Sequence, residues 1–172
     1  YCSYDIGYLI APIFNAAGRL EDAKQAVSLF IEEDGFECLT IIEQLLENNN
    51  ERKNIQKKIL EASIAEIEKK QLYNKNLILV ANKSFHHGVI GIVASKILDK
   101  YYKPSIIMEI KENEGVATAS CRSIDGLNIV ECQNSVSDIL VKYGGHSGSA
   151  GFTIKIENIE EFYQRVDKYI GE

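Results

Sequence analysis

The stretch LILVANKSFHHGVIGIVASKILDKYYKPSIIMEI, residues 77–110, decides the fold of this chain. It opens with five apolar residues, 77–81, a run that is typical of a strand buried on both faces. A helix that is apolar nearly all round is expected at 89–101, and a second strand at 105–110 follows Pro104. Strand, helix and strand at this spacing predict a right-handed βαβ unit.

The residues after this unit predict the rest of a small mixed sheet. Two further strands are expected at 115–121 and 151–156, with a helical segment between them. The second of these alternates apolar Phe152 and Ile154 with polar Thr153 and Lys155, so one of its faces is expected to be wet. A closing amphipathic helix carries Phe162 and Val166. Residues 74–172 are therefore predicted to form one small α/β domain.

The residues before the unit predict helices. Residues 1–34 are interpreted as a helical segment, and 35–73 as a long connecting helix, because 36–72 contain neither glycine nor proline. Three asparagines, 48–50, separate two apolar stripes, so one long helix and two helices joined there both remain open. A single helix would be longer than a small domain needs and would connect two bodies. The charged run Glu51-Arg52-Lys53 is interpreted as its solvated face.

Composition narrows the class of function. The 172 residues carry a net charge of −6, which argues against a broad nucleic-acid-binding face. Residues 74–172, with 11 basic and 12 acidic side chains, are nearly neutral, which leaves room for a local basic pocket. No membrane span and no signal peptide are apparent. Four cysteines far apart in sequence argue against a zinc site and suit a reducing cytoplasm. Because the chain starts at Tyr1 and its single methionine is Met108, we expect it to be part of a longer protein.

Two clusters with possible chemistry lie at the starts of helices. In residues 15–19 a small-residue turn presents Asn15 and Arg19, and the alternative for Arg19 is an ion pair with Glu21 or Asp22. Residues 85–92 join the first buried strand to its helix, a position where open α/β sheets gather ligands. Adjacent His86 and His87 are not expected to share a metal ion, and one of them is expected to cap the helix or pack.

Two further clusters lie later in the chain. The period of two in a strand puts Ser120 and Arg122 on one face, where a hydroxyl and a guanidinium would hold a terminal phosphate, although a wet strand face is an equal alternative. Ser123 follows directly. The glycine-rich loop GGHSGSAG, 144–151, offers bare backbone and the imidazole of His146, and its alternative is a plain turn. Together the four clusters indicate phosphate binding. No grouping of aspartates and histidines suits two metal ions. The chain is therefore interpreted as the substrate-gripping part of an enzyme, without the part that carries out the metal-assisted reaction.

At this point the chain resembles the C-terminal part of RecJ exonucleases, which belong to the DHH phosphoesterase superfamily. The matching motifs are APxxNAAGRL (11–20), NER (50–52), HGVIGIVA (87–94), SxRS (120–123) and GGHxxxAG (144–151). They occur in order over nearly the whole chain. Two departures are the apolar pair Ile13 and Phe14, where a basic residue is usual, and Ser149, where alanine is usual.

The resemblance implies a fold and a role. Residues 1–34 would be the end of a DHH domain, 35–73 the connecting helix and 74–172 a DHHA1 domain. The parent would be a 5′→3′ single-stranded-DNA exonuclease whose absent DHH domain holds Mn²⁺ or Mg²⁺, while this chain holds no metal or other cofactor and is inactive alone. His146 would serve catalysis, and the residues expected to bind substrate phosphate, including the 5′ end, are Asn15, Arg19, His87, Ser120, Arg122, Ser123, Gly144 and Gly145.

The resemblance leaves alternatives. A phosphodiesterase for short RNA or cyclic dinucleotides belongs to the same superfamily, and so does a non-catalytic relative in a replication complex. The expected partners are single-stranded DNA with a 5′ phosphate and the missing DHH domain, and the chain alone could form a homodimer. No membrane association is expected.

Overall fold

The computed structural model describes residues 2–20 and 22–172 and divides into two compact units, with the boundary after Lys57. The predicted domains end at 34 and 73 instead, and their bounds remain an expectation. Within the residues that are described, no helix combines the length and the apolar character needed to cross a membrane.

The first unit is helical. After a π-helical turn at Asp5–Ile10 come α1 (Ala11–Leu20) and α2 (Lys24–Ile31). A small core of Ala17, Ala26 and Leu45 holds the unit together, with Phe14 among the half-buried residues around it. The prediction of a turn at 15–19 is wrong, because these residues lie inside α1. Ala16 and Ala17 are fully buried there, so the small side chains serve close helix packing rather than a turn.

A single helix, α3 (Gly35–Lys70), runs through all three asparagines. Of the two alternatives left open by the sequence, the unbroken helix is therefore correct. Asp34 starts it, since its Oδ1 accepts hydrogen bonds from the backbone N–H of Phe36 at 2.8 Å and of Glu37 at 3.1 Å. Asn49 does not break the helix because its buried side chain accepts a hydrogen bond from Arg52 Nη2 at 2.7 Å, instead of competing for the backbone.

The second unit is built on a five-stranded mixed sheet with the strand order β1-β2-β3-β5-β4. Its strands are β1 (Ile78–Asn82), β2 (Ser105–Lys111), β3 (Val116–Arg122), β4 (Leu140–His146) and β5 (Ser149–Lys155). Strands β1 and β2 are parallel and joined through α4 (His87–Tyr101), which confirms the βαβ unit. The other neighbouring strands are antiparallel. The predicted α/β fold class, helices followed by a small mixed sheet, is confirmed.

Helices cover the two faces of the sheet unequally. Helices α5 (Ile129–Asn134) and α6 (Ile159–Gly171) pack their apolar residues on one face, into a core that includes Ala119, Cys121 and Phe152. Residues 120 and 122 alternate with this buried set and therefore point to the other face, where α4 lies against β2 and β3. On the same face, Ser149 of β5 and the residues of β4 after Leu140 are exposed, whereas Thr153 of β5 is buried.

The sequence predicts four strands and a glycine-rich loop at 144–151, but the sheet has a fifth strand, β4, which includes part of that loop. Residues 144–146 belong to β4, and only Ser147 and Gly148 form the turn to β5. The strand escaped prediction because it lies at the sheet edge, where its residues after Leu140 are exposed and need no apolar alternation. Pairing with β5, rather than side-chain burial, holds it in place.

Candidate phosphate-binding site

The face of β3, β5 and β4 that lies opposite the α5–α6 core carries three of the polar residues that the sequence singled out, Ser120, Arg122 and His146. Arg122, Ser149 and His146 are register partners across the three strands, and the next row on the same face is Ser120, Gly151 and Gly144. Two strand spacings separate Arg122 from His146, roughly 10 Å between Cα atoms. We call these six positions the open face.

Arg122 is held in a defined orientation. Among its hydrogen bonds, Nε donates to Ser95 Oγ at 3.0 Å, and Nη1 donates to Cys121 O at 2.8 Å and to Ser120 Oγ at 3.3 Å. The predicted pairing of Ser120 and Arg122 on one face is therefore confirmed. Both residues are half-buried, and the hydrogen bonds fix the direction of the guanidinium.

Gly91 of α4 gives this pair its space. A Cβ atom on Gly91 would lie 3.0 Å from Ser120 Oγ and 3.1 Å from Arg122 Nη2. Any larger residue at this point of α4 would therefore push against the two groups most suited to hold a phosphate. The helix can approach β3 closely only because this position carries no side chain.

The β4–β5 hairpin places His146 at the edge of the open face. Gly145, beside it, has a φ of +148°, and a Cβ there would lie only 2.4 Å from Ala150 Cα. The position therefore accepts glycine alone, while Gly144 has nothing within 4 Å of its own ideal Cβ. The His146 side chain is exposed, as a group that meets a ligand from solvent must be.

The two adjacent histidines have different surroundings. His86 is the N-cap of α4, and its Nδ1 accepts a hydrogen bond from the backbone N–H of Gly88 at 3.1 Å, so the expected cap is confirmed. His87 is exposed, and its Nδ1 lies 3.5 Å from Glu109 Oε2. Because His86 precedes the helix in extended conformation, the two rings stack with centroids 4.9 Å apart.

Ser123 lies just beyond the open face and is engaged within the chain. It is 8% exposed, and its hydroxyl donates to Leu127 O at 2.8 Å. This hydrogen bond closes the turn after β3, so the hydroxyl supports the backbone that follows Arg122. Ser120, by contrast, presents its hydroxyl beside the guanidinium.

The first unit carries a second group of candidate residues. Asn15 and Arg19 are four residues apart in α1, which puts both exposed side chains on one helix face. Asp22 pairs with Lys24 at 3.4 Å, and Glu21 lies outside the described residues. Burial and the nearby charge of Arg19 lower the pKa of Arg52.

Two residues of these sites escaped sequence reasoning. The sequence predicts a solvated helix face at Arg52, but this residue is half-buried and donates to Asn49 and to Gln56 Oε1, the latter at 2.8 Å. Nothing in the local sequence shows that Ser95 faces Arg122 across the fold. In residues 2–20 and 22–172 no three His, Cys, Asp or Glu side chains are grouped to hold a metal ion.

Comparison with known proteins identifies the family. Residues 74–172 match the DHHA1 domain family. The single-stranded-DNA-specific exonuclease RecJ of Bacillus subtilis is 37% identical over 163 residues, which cover 95% of this chain and 21% of that protein. RecJ of Thermus thermophilus is 30% identical, with 96% and 23% covered. The chain thus spans between a fifth and a quarter of the length of these two relatives.

Solved structures of RecJ exonucleases have the same fold as this chain. The crystal structure of exonuclease RecJ bound to manganese superposes with a TM-score of 0.85 at 29% identity, covering 98% of this chain and 41% of that chain. RecJ of Thermus thermophilus in complex with Mg²⁺ gives a TM-score of 0.81, also at 29% identity, covering 97% and 26%. The chain therefore belongs to the DHHA1 domain family and is similar, over nearly its whole length, to the corresponding part of RecJ exonucleases.

Proposed function

We propose that this chain is the substrate-gripping part of a RecJ-like 5′→3′ single-stranded-DNA exonuclease. In this proposal the open face binds the backbone of a single strand and its 5′ phosphate. The observation that carries the proposal is the fixed guanidinium of Arg122 beside the Ser120 hydroxyl. Paired N–H donors and a hydroxyl match the oxygens of a terminal phosphate.

The remaining residues have supporting roles in the proposal. Gly144 and Gly145 keep the neighbouring strand bare, so a phosphodiester can approach its backbone. Asn15 and Arg19 bind a phosphate in the first unit, and His87 contributes a donor at the start of α4. Ser123 acts through the turn that it closes rather than by touching the ligand.

His146 is the proposed catalytic residue of this chain. An exposed imidazole at the edge of the open face can donate a hydrogen bond to a phosphate oxygen or transfer a proton near neutral pH. The hydrolytic step itself is assigned to a DHH domain elsewhere in the parent protein. Two solved relatives are described as bound to manganese and to Mg²⁺, which supports one of these ions as the parent's cofactor. The described residues offer no set of ligands for it, so we place the metal outside this chain and expect the chain alone to be inactive.

Replacement of Arg122 tests the terminal-phosphate role. Arg122→Ala should weaken binding of a 5′-phosphorylated single strand by about tenfold or more, because charge-assisted hydrogen bonds are lost, while binding of a 5′-hydroxyl strand changes little. Fluorescence anisotropy with labelled strands at low and moderate salt measures both. Arg165→Ala is the matched arginine control, since Arg165 of α6 pairs with Asp138. Equal losses on the two strands contradict the proposal.

The second candidate is a phosphodiesterase for short RNA or cyclic dinucleotides of the same superfamily. The length of the preferred substrate distinguishes it, since such an enzyme would favour dinucleotides over long single strands. The long α3 and the motif at 15–19 favour the RecJ-like function. The DHH domain as partner, a homodimer of the isolated chain and a cytoplasmic location also belong to the proposal.

A further inference from the structure

We infer that Ser95 of α4 is a positioning residue that fixes the guanidinium of Arg122 for the ligand of the open face. The inference rests on the proposed function and adds to it a residue outside the motifs of phosphate recognition. Ser95 makes its contact from a helix, whereas Ser120 and Arg122 lie on a strand. Its role is therefore to set the direction of Arg122 relative to α4.

The hydroxyl of Ser95 is itself oriented. Ser95 Oγ donates to the carbonyl oxygen of Gly91, one turn earlier, at 3.2 Å. With its hydrogen committed to that carbonyl, the oxygen presents lone pairs to the Arg122 Nε–H, which donates to it at 3.0 Å. The Ser95 hydroxyl thus links the guanidinium to the backbone of α4 by two hydrogen bonds.

Two hydrogen bonds from different nitrogens fix a planar group. Nε is held by Ser95, while Nη1 is held by the carbonyl oxygen of Cys121 at 2.8 Å. Because the five N–H bonds of a guanidinium lie in one plane, these two contacts determine the direction of every donor. Without Ser95 the contacts of Nη1 with Cys121 O and Ser120 Oγ would remain, but the hydrogen bond at Nε that refers the plane to α4 would be lost.

Gly91 and Ser95 act as a pair on one face of α4, four residues apart. Gly91 leaves the space in which Nη2 lies, since a Cβ there would come within 3.1 Å of it. Ser95 supplies the hydrogen bond that keeps the guanidinium in that space. One helix therefore provides both the room and the restraint for the same side chain.

The first test needs no ligand. The chain contains four arginines, so its ¹⁵N–¹H spectrum of arginine Nε groups is simple, and Arg122→Lys assigns the Arg122 signal. Hydrogen exchange of the Arg122 Nε–H should become at least several-fold faster in Ser95→Ala and remain slow in Ser95→Thr, which keeps the hydroxyl. Ser28→Ala is the matched control, because Ser28 makes the same bond, to Lys24 O at 3.0 Å, in α2. Unchanged exchange in Ser95→Ala overturns the inference.

The second test measures phosphate preference in the same chain. Ser95→Ala should reduce the preference for a 5′-phosphorylated over a 5′-hydroxyl strand by about five- to tenfold, and Ser95→Thr should restore it. Unaltered thermal melting shows that the variants fold. If Arg122→Ala abolishes the preference but Ser95→Ala leaves it intact, the positioning role is wrong and the proposed function stands. If Arg122→Ala leaves the preference intact, the proposed function fails, and the role of Ser95 fails with it.

Discussion

At the residue scale, Gly145 shows how strongly one position can be constrained. Its φ of +148° and the 2.4 Å approach of an ideal Cβ to Ala150 Cα both exclude a side chain. Gly145→Ala should therefore lower the free energy of unfolding by about 2–4 kcal/mol, from backbone strain and overpacking together. Gly144→Ala is the neighbouring control, because its Cβ meets nothing within 4 Å, and it should change stability by less than about 1 kcal/mol. Urea denaturation followed by circular dichroism measures both, and equal effects would contradict the assignment.

His146 gives the opposite prediction at the same scale. Because its side chain is exposed, His146→Ala should leave the denaturation midpoint within error of the wild type. If the parent protein is the proposed exonuclease, the same change there should lower its cleavage rate by about 10²-fold or more, the range typical of a lost general acid or base. A large drop in stability would instead make the residue structural.

Residue patterns predicted partners along one strand but not across the fold. The period of two placed Ser120 and Arg122 together, and the structure agrees. Ser95 comes from a helix 27 residues earlier, and only the packing of α4 on β3 brings it to Arg122. Such a contact depends on tertiary structure, which the local sequence does not contain.

At the element scale, α6 is tied to the turn before β4 by Arg165. Its guanidinium contacts both carboxylate oxygens of Asp138 at 2.8 Å, and the carbonyl oxygen of Ser135 at 3.1 Å. The hydrogen bond from Arg165 lowers the pKa of Asp138 below its ordinary value. The ion pair therefore stabilises the fold above the ordinary aspartate pKa of about 4, and this contribution is lost as pH falls through the lower, folded-state pKa.

The pH dependence of the stability of Asp138→Asn tests the contribution of this ion pair. The variant should unfold at a lower urea concentration than the wild type at pH 7, and the difference should shrink as pH is lowered below about 4. Parallel urea titrations from about pH 7 down to about pH 2.5 provide the comparison. A difference that stays constant with pH would show that the carboxylate charge is not involved.

Elements with apolar periodicity were predicted well, and those held by pairing were not. The βαβ unit and α6 followed from buried faces, whereas the sequence left open whether α3 is one helix or two. Strand β4 lacks a buried face, and the helical residues 15–19 consist largely of small side chains that also suit turns. In both cases tertiary contacts decide between conformations that the local sequence permits about equally.

At the scale of the whole molecule, the net charge of −6 limits the DNA binding that the proposed function requires. Few phosphates can be neutralised, and the candidates are led by Arg19 and Arg122. With about two contacts, the slope of log K against log salt for a single strand should be only about −1.4. Anisotropy titrations between 50 and 200 mM salt, roughly the range over which such slopes are read, measure it. A slope steeper than about −4 would require a broad basic face and contradict this expectation.

The edge position of β4 has a consequence for how the molecule behaves at high concentration. An edge strand offers unpaired backbone groups to any passing strand, which is how proteins begin to aggregate. Here the edge contains two adjacent glycines, which have low β propensity, and the charged residue Lys142. The same bare residues that would admit a phosphodiester thus act as gatekeepers against edge-to-edge fibre growth, and filling them with valine or isoleucine would exchange ligand access for an aggregation-prone edge.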